Sequence, residues 1–367
     1  MPVSEPLVLT VNAGSSSLRL ALFAAGGGLT PIAAVHDDSS DTDAVARLCE
    51  FAGVRAEAVT VVAHRVVHGG DTLTAPCRID DRVEAEIARL APLAPLHNPR
   101  ALAAIRAARA ALPSAIPVGV FDTAFYAILP EVARRYALPR KLAPVNVRYG
   151  FHGIAHQSMW RRWSAARRDT GGARVISFQL GGGCSATAIR GGRPVDTSMG
   201  FSPLEGLMMA TRAGDVDAGL LVYLLRDMRM SPDRIDALLN KKSGLLGVSG
   251  VSADMRVLLE SDDPAARFAV ELYVYRARKY LGAYLALLGG ADAILFGGGV
   301  GEHAPVVRAR ILAEMEWAGI ALDPARNQAA TAGDHRISAD DSRVEVWALN
   351  VDDASELARV ALTFIER

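Results

Sequence analysis

The stretch from Val8 to Leu22, VLTVNAGSSSLRLAL, predicts two short strands joined by a tight turn of small residues. The turn NAGSSS brings backbone N–H groups and hydroxyls within reach of a ligand, so it can cradle an anion, usually a phosphate. Arg19 adds a fixed positive charge just after the turn. An ordinary polar hairpin is the alternative from this stretch alone.

The stretch from Val175 to Ile189, VISFQLGGGCSATAI, has the same layout in the second half of the chain. An apolar strand meets a turn of small residues, GGGCS at 181–185, and a second strand follows. Two copies of one strand–turn–strand unit predict an internal duplication, in which each half offers a phosphate turn to a shared cleft. Chance similarity of two hairpins rich in glycine and serine is the alternative.

Length and composition favour two domains and give no sign of a nucleic-acid or membrane partner. The chain has 367 residues, of which 50% are hydrophobic, and its formal net charge is zero. At about 100–200 residues per domain, two domains are expected. Zero net charge creates no field that attracts nucleic acid or an anionic membrane. No Gly-x-x-x-x-Gly-Lys-Ser/Thr pattern occurs, which excludes an ordinary P-loop.

The cysteines and the N-terminal segment are typical of a reduced, cytoplasmic protein. Cys49, Cys77 and Cys184 are widely spaced and form no C-x-x-C pattern. The segment MPVSEPLVL lacks the basic region of a signal peptide. The apolar stretch from Tyr280 to Val300 is interrupted by two glycines and an aspartate, so it predicts a buried helix followed by a buried strand rather than a membrane span.

Two charged residues near strand ends point to a ligand site. Arg65 lies within the apolar run VTVVAHRVV and shortly before His68-Gly69-Gly70, and a buried arginine must be paired or meet an anion. Asp122 follows the strand predicted at 117–121, and acidic residues at such strand ends commonly face the ligand crevice of an α/β domain. A structural ion pair and a turn aspartate are the respective alternatives.

The remaining periodicity predicts helices, strands and loops along the chain. A short helix is expected to present Arg212 within 198–214, and 241–256 is expected to be a loop. Helices are predicted at 81–90, 99–112, from 231, 264–288, from 305 and 354–365, and further strands at 32–35, 59–67, 293–296 and 344–348.

Nine motifs in one fixed order resemble the acetate kinase family, also called the acetokinases. The resemblance implies an α/β, duplicated, actin-like (ribonuclease H-like) two-domain fold of the acetate and sugar kinase, Hsp70 and actin superfamily, with an ATP cleft between the domains. It assigns 1–148 with 354–367 to a carboxylate-side domain and 149–353 to a nucleotide-side domain. The motifs are NAGSSSL, HRVVHGG, PLHN, FDTAF, YGFHG, TSMGFSPLEGL, TRAGD, NKKSGLLGVSG and GGGVGE.

The resemblance also implies the reaction and its partners. The expected reaction is reversible, direct in-line phosphoryl transfer from ATP to acetate, or to another short carboxylate such as propionate, giving acetyl phosphate and ADP. Mg²⁺ is the expected metal, with Mn²⁺ as an alternative. The expected assembly is a cytoplasmic homodimer.

Roles for individual residues follow from the motifs, position by position. Arg65, Asp122, His152 and Arg212 would form the catalytic group, and Arg65 would also bind the substrate carboxylate. Val67, Leu96, Phe151 and Pro203 would line a pocket for the methyl group. Asn12 and Asp353 would hold Mg²⁺, with Glu356 as the alternative to Asp353. The nucleotide would contact Ser15, Ser17, Arg19, Gln179, Leu180, Gly181, Gly182, Gly183, Asp254, Met255, Arg256, Gly299, Val300, Gly301, Glu302 and His303.

Elementary chemistry agrees with most of these roles. Phosphoryl transfer depends mainly on alignment and on neutralising spread negative charge, for which guanidinium groups are well suited. The family assigns the residue at Asp122 to proton transfer. Because a short carboxylic acid is already ionised at neutral pH, orienting an arginine or a magnesium-bound water is the better interpretation of Asp122.

The chain departs from the family pattern in its second phosphate turn. Gln179 stands where histidine is usual, Gly182 where asparagine is usual, and Cys184 where serine is usual. Arg19 replaces a lysine and keeps its charge, and Asp353 is one methylene shorter than the usual glutamate. These changes leave the identity of the phosphoryl donor less determined than the reaction class.

Three other functions compete with the kinase interpretation. The pattern G-x-G-x-x-A at 299–304, with Asp323 further on, matches a relaxed dinucleotide-binding motif but leaves the two hairpins unexplained. The histidine pairs at 64 and 68 and at 152 and 156 resemble metal ligands but enclose no peptidase glutamate. A non-catalytic, ATP-binding member of the superfamily is the third alternative, supported by Gln179 and Gly182.

Overall fold

The computed structural model of this chain describes residues 5–14, 18–26, 29–37, 54–143 and 145–365. Contacts divide the chain into two compact units. The first comprises Met1–Ala127, Phe151–Ile154 and Asp352–Arg367, and the second comprises Ile128–Gly150 and Ala155–Val351. The sequence-based boundaries instead placed 128–148 in the predicted carboxylate-side domain. The assignment of a function to each domain stays a prediction.

The first unit contains a six-stranded sheet in the order β3-β2-β1-β4-β6-β5. Strands β1, β2 and β3 form an antiparallel meander, β4 and β6 run parallel to β1, and β5 is antiparallel to β6. The strands are β1 Leu7–Ala13, β2 Leu18–Ala24, β3 Pro31–Asp37, β4 Val59–Val66, β5 Cys77–Arg78 and β6 Ile116–Phe121.

Both faces of β4 are buried, which explains its continuous apolar run. On one face Val61 packs in a cluster with Leu357 of the C-terminal helix. On the other face Val62 packs in a cluster with Ala108 of the helix Asn98–Ala111. Charged residues near the end of this strand therefore sit at the rim of a core that is covered on both sides.

The second unit repeats this topology in its own six-stranded sheet, in the order β9-β8-β7-β10-β12-β11. Again three strands form an antiparallel meander, two run parallel to the first of them, and the edge strand is antiparallel. The repeat confirms the predicted internal duplication. The strands are β7 Arg174–Leu180, β8 Cys184–Arg190, β9 Arg193–Thr197, β10 Ala293–Gly297, β11 His335–Arg336 and β12 Glu345–Ala348.

The helices of the described residues cover these sheets, and several begin or end at residues that the sequence signals predicted. The longest, α9, starts after the capping side chain of Asp263 and ends at Gly289, whose φ of 71° is left-handed. The helices are α1 Asp81–Arg89, α2 Asn98–Ala111, α3 Glu131–Arg134, α4 Gly153–Ser164, α5 Ala218–Arg226, α6 Pro232–Lys241, α7 Gly244–Ser249, α8 Met255–Glu260, α9 Pro264–Leu288, α10 Gly298–His303, α11 Pro305–Ile311, α12 Pro324–Ala329 and α13 Asp353–Leu362.

Two local predictions were wrong. Residues 198–214 contain no helix, because Gly206 and Gly214 have positive φ angles of 103° and 73° that interrupt helical geometry. The predicted loop 241–256 contains α7, which its glycines and serines concealed. The helix predicted from 305 is present as α11, and the sequence missed the short helix α10 that precedes it.

Within the described ranges, no helix is both long enough and apolar enough to cross a membrane.

Candidate active site

The parallel strands of the first unit bring polar residues together at one edge of the sheet. Asn12 and Arg65 lie near the carboxyl ends of the neighbouring strands β1 and β4, and Asp122 follows β6 directly. The Asp122 N–H donates to the carbonyl of Val66 at 3.0 Å, which continues the pairing past the strand ends. Asp353, the first residue of α13, joins them.

We call Asn12, Arg65, Asp122 and Asp353 the Arg65 centre. Arg65 binds Asp122 through two parallel bonds, Nε to Oδ1 at 3.1 Å and Nη2 to Oδ2 at 2.7 Å. Its Nη1 donates to Asn12 Oδ1 at 3.2 Å and lies 3.6 Å from Asp353 Oδ2. Asn12 Nδ2 also donates to Asp353 Oδ2 at 3.1 Å. Arg65 thus forms the structural ion pair that was the alternative to ligand binding. A contact with a ligand would come in addition to this pair.

Burial and opposite charge act in opposite directions on the pKa values of this centre. The Asp122 side chain is 1% exposed, and burial raises the pKa of its carboxyl, while the charge and hydrogen bonds of Arg65 oppose that rise. The pKa of Arg65 is raised, because its attraction to Asp122 and Asp353 outweighs the cost of burial. The guanidinium therefore stays charged, as a fixed cation beside two carboxyl groups.

Two carboxylates and an amide oxygen fit a magnesium ion that arrives with a phosphate ligand. Mg²⁺ typically keeps several waters and is held by one or two carboxylates plus substrate phosphates. Asp122, Asp353 and the Asn12 carbonyl offer such a set. Among the described residues, no group of three or more His, Cys, Asp or Glu side chains could enclose a metal ion by itself. Glu356 instead accepts a hydrogen bond from Arg359 Nε at 3.0 Å.

The segment at 151–153 packs directly on Asp122. The Gly153 N–H donates to the Asp122 carbonyl at 3.0 Å, and a Cβ at Gly153 would lie 2.2 Å from that oxygen. His152 has a positive φ of 58°, which is uncommon for a residue other than glycine and clusters at functional sites. The backbone of the motif FHG thus lies in close contact with Asp122 of the Arg65 centre.

The remaining sites predicted in the first unit differ in exposure. Val67 and Phe151 are buried, whereas Leu96 is 41% exposed. The Phe151 ring meets His68 edge to face, with 5.5 Å between the ring centroids. Arg19 is exposed on β2 and pairs across the strands with Asn12. Ser15 and Ser17 lie outside the described residues.

In the second unit, the turn 181–183 is open on its outer side. Gly181 N–H donates to the Gly183 carbonyl at 3.1 Å, and Ala210 N–H donates to the Gly182 carbonyl at 3.1 Å. A Cβ built on Gly182 meets no atom within 4 Å. Cys184 is buried and lies 3.2 Å from the Tyr273 hydroxyl, so its sulfur faces the core rather than the turn's ligand side.

A cavity of about 610 Å³ lies beside this turn. Besides Leu245, it brings together three segments that are far apart in sequence, and each of the three contains residues that were predicted to contact the nucleotide. Its walls are Gly181, Gly182, Leu245, Ala253, Asp254, Met255, Arg256, Leu259, Gly299, Val300, His303, Ala304, Pro305 and Val306.

Other residues predicted to contact the nucleotide do not line this cavity. Glu302 is buried, and its Oε1 accepts hydrogen bonds from Asn350 Nδ2 at 3.0 Å and Gly333 N at 3.3 Å. Gln179 directs its amide toward Gly297 and Gly298, where its buried Oε1 has no partner among the described residues. Leu180, Gly183 and Gly301 are also absent from the cavity wall.

Arg212 is a partly buried cation that makes no ion pair with the described residues. Its Nη1 donates to the Pro203 carbonyl at 2.5 Å, and burial lowers its pKa. A guanidinium without a carboxylate in such surroundings is suited to meet an anionic ligand. The motif TRAGD predicted this residue, although the helix expected to present it is absent.

Sequence reasoning missed Arg100. Its Nη1 donates to the Gly14 carbonyl at 3.1 Å, at the start of the first turn. Arg100 lies in the first turn of α2, and the two residues are 86 positions apart. No local signal predicts such a contact, since it depends on where the helix packs against the sheet.

Comparison with known proteins points to one family. Residues 29–359 match the acetokinase family. The chain is 46% identical to an acetate kinase of Solibacter usitatus over 329 residues, which cover 88% of this chain and 78% of that protein. It is similar to the crystal structure of Porphyromonas gingivalis acetate kinase, with a TM-score of 0.90, 35% identity and coverage of 98% and 100% of the two chains. It is also similar to the structure of a propionate kinase from Francisella tularensis, with a TM-score of 0.88, 29% identity and coverage of 98% and 99%.

Proposed function

This chain belongs to the acetokinase family, and we propose that it transfers the γ-phosphoryl group of ATP to the carboxylate of acetate. The products are acetyl phosphate and ADP, the reaction is reversible, and the transfer is direct and in line. The observation that carries the proposal is the Arg65 centre. There a permanently charged arginine near the carboxyl end of β4 lies beside two carboxyl groups, those of Asp122 and Asp353.

Arg65 is proposed to hold the acetate carboxylate. Three of its N–H groups are directed to Asp122 and Asn12, which fixes the plane of the guanidinium. A guanidinium carries five N–H donors, so two stay available for an incoming carboxylate. Val67, Leu96, Phe151 and Pro203 are proposed to contact the methyl group.

Asp122 is proposed to orient rather than to move a proton. Its two oxygens hold Arg65, and acetate needs no base because it is already ionised at neutral pH. Asp122, Asp353 and Asn12 would hold Mg²⁺, which supplies charge neutralisation for the phosphates. Mn²⁺ is the alternative metal.

The second unit is proposed to bind ATP. The cavity beside 181–183 would take the adenosine part through Asp254, Met255, Arg256 and the 299–303 segment. The turn would meet the phosphates, together with Arg19, Ser15 and Ser17. Arg212 and His152 would neutralise the oxygens of the transferred group, which develop spread negative charge in the transition state.

Formation of acetyl phosphate from ATP, acetate and Mg²⁺ tests this proposal. Hydroxylamine trapping would measure the product, and ATP binding would be measured on the same sample. We expect turnover that depends on both acetate and Mg²⁺. Binding of ATP without acyl phosphate would favour a non-catalytic ATP-binding protein. Turnover only with a nicotinamide cofactor would favour the dinucleotide interpretation of 299–304.

The assembly is proposed to be a homodimer that works in a reducing, cytoplasmic environment. Helix α5 supports the dimer, because four of its apolar side chains are 42–52% exposed. They are Leu220, Val222, Tyr223 and Leu225. Two free thiols, Cys77 and Cys184, support the reducing environment.

A further inference from the structure

A cluster of three side chains in the second unit lies beside the segment that presents Arg212. Arg148 Nη2 donates to Glu205 Oε1 at 2.7 Å, and the Tyr136 hydroxyl donates to Glu205 Oε2. The Arg148 guanidinium also lies over the Tyr136 ring, 5.1 Å from its centroid. We call Tyr136, Arg148 and Glu205 the Glu205 clamp. Burial and the bond to Glu205 raise the pKa of Tyr136, so its hydroxyl keeps the proton that it donates.

The side chains of the Glu205 clamp form hydrogen bonds with the backbone of residues 197–201. Arg148 Nη1 donates to the carbonyls of Thr197 at 3.3 Å and Met199 at 3.2 Å. The Tyr136 hydroxyl accepts the Phe201 N–H at 2.8 Å. One carboxylate thus orients a cation and a phenol that together satisfy several loop groups, which would otherwise lack partners in this irregular segment.

Gly200 shows how tightly this loop is seated. A Cβ at this residue would lie 1.7 Å from Glu205 Oε2 and 2.0 Å from the Tyr136 hydroxyl. Its carbonyl accepts the Tyr149 N–H at 3.0 Å. The loop therefore has no room to shift toward the clamp.

This loop continues to Pro203, whose carbonyl oxygen accepts a hydrogen bond from Arg212 Nη1 at 2.5 Å. Just beyond Glu205, Gly206 N–H donates to Asp215 Oδ1 at 2.9 Å, and Tyr280 donates to Asp215 Oδ2 at 2.9 Å. The Pro203 carbonyl is therefore fixed from both sides. Among the described residues, this oxygen is the only acceptor to which the Arg212 side chain donates a hydrogen bond. Its position therefore determines where the guanidinium lies.

We propose that Glu205 is a positioning residue for phosphoryl transfer, which acts through the Pro203 carbonyl to place Arg212. This inference rests on the proposed function. Glu205 touches neither substrate; its effect is on the alignment of a cation that must meet the transferred group. Misplacement of a catalytic group by about 1 Å can cost on the order of 100-fold in rate.

A double-mutant cycle of Glu205→Gln and Arg212→Ala tests the proposal. Glutamine keeps the shape of the side chain but cannot hold Arg148 by charge. We expect Glu205→Gln to lower kcat by about 10- to 100-fold, with the KM for ATP within about twofold of the wild type. In the Arg212→Ala background, the same substitution should lower kcat by less than about threefold, because its effect passes through Arg212.

Glu345→Gln is the matched control. Glu345 has a similar exposure, 27% against 31% for Glu205, and likewise accepts hydrogen bonds from an arginine, Arg167, and from aromatic side chains, Trp163 and Trp347. It should leave kcat within about twofold, because it lies outside the Arg212 loop. If Glu205→Gln does not fold, Tyr136→Phe takes its place in the cycle, because it removes only one hydroxyl. It should lower kcat several-fold in the wild-type background but not in the Arg212→Ala background.

Equal losses in the wild-type and Arg212→Ala backgrounds would overturn the proposal, since they would indicate a general structural role. So would an unchanged kcat in both Glu205→Gln and Tyr136→Phe. These outcomes require an active wild type, so they are distinguishable from failure of the proposed function, in which the wild type makes no acetyl phosphate.

Discussion

At the residue scale, one buried polar side chain of the first unit, His64, makes a prediction about stability. His64 lies in β4 next to Arg65, is almost fully buried, and has no hydrogen-bond partner for either ring nitrogen among the described residues. Burial lowers its pKa from 6.5 to about 3. The ring is therefore neutral in the folded protein at any ordinary pH.

This burial predicts a specific pH dependence of stability. Because the folded-state pKa is depressed, the unfolded chain binds the proton more tightly than the folded protein below pH 6.5. The stability due to the neutral ring is present above pH 6.5 and is lost as the pH falls toward 3. In His64→Leu, the fall in unfolding free energy between pH 6.5 and 5 should be smaller, by a slope that approaches about 1.4 kcal/mol per pH unit near pH 5.

Urea unfolding at several pH values would measure this slope. His335→Leu is the control, because His335 is exposed and its replacement removes no buried ring. An unchanged slope in His64→Leu, with a cooperative transition, would contradict the account of His64.

Residue-level prediction from sequence agrees with the structure where a rule ties residue type to a strand end. Arg65 lies near the end of β4 and Asp122 follows β6, and the two side chains meet at 2.7 Å, while their roles at a ligand site stay a prediction. The choice between Asp353 and Glu356 was beyond the sequence, because the two lie one helical turn apart on α13. Asp353 contacts Asn12, whereas Glu356 is bound to Arg359, which favours Asp353 as the proposed ligand.

At the element scale, the turn 181–183 departs most from the family pattern. Gly182 has an ordinary φ angle and open space where a Cβ would stand, so the backbone does not require glycine here. Gln179 points its amide toward Gly297 and Gly298 instead of into the cavity. The sequence could not show this direction, since it depends on how β10 and β7 pair.

Restoring the family side chains should therefore improve binding of the phosphoryl donor. Gln179→His with Gly182→Asn should lower the KM for ATP several-fold and leave the KM for acetate nearly unchanged, because an amide would then reach the phosphates and an imidazole can carry charge. Initial rates of acetyl phosphate formation, with each substrate varied in turn, would measure both constants.

Gly172→Asn is the control for this double variant, because a Cβ there also meets nothing within 4 Å and the residue is exposed, away from the cavity wall. An unchanged KM for ATP and an unchanged preference among ATP, other nucleoside triphosphates and pyrophosphate would mean that backbone N–H groups alone make the contact.

At the scale of the whole molecule, the repeated sheet topology was predictable because the two hairpins carry the same pattern of apolar strands and small turns. Helix α7 was not, because a short glycine-rich helix is stabilised by contacts that are distant in sequence. Exposed apolar residues on α5 likewise appear only in the folded chain, where the helix has no buried residue.

The proposed homodimer predicts that charge on α5 separates the protomers. Leu220→Asp with Tyr223→Asp should produce monomers at micromolar concentration, because burying an unpaired carboxylate at an interface is costly. Sedimentation velocity would measure the change. Val132→Asp is the control, since Val132 is 91% exposed on α3 and lies on a different helix. A wild type that sediments as a monomer, or a double variant that remains dimeric, would contradict the proposed role of α5.

The central claim is that the Arg65 centre binds the carboxylate while Arg212 serves the transferred phosphoryl group. The most direct test is the initial rate of acetyl phosphate formation by wild type, Arg65→Lys and Arg212→Ala, with acetate and ATP varied separately. Lysine keeps a charge beside Asp122 but loses the paired donors. We expect Arg65→Lys mainly to raise the KM for acetate, and Arg212→Ala mainly to lower kcat, by roughly 100- to 1,000-fold. Unchanged kinetics in either folded variant, or an exchange of the two effects, would contradict the claim.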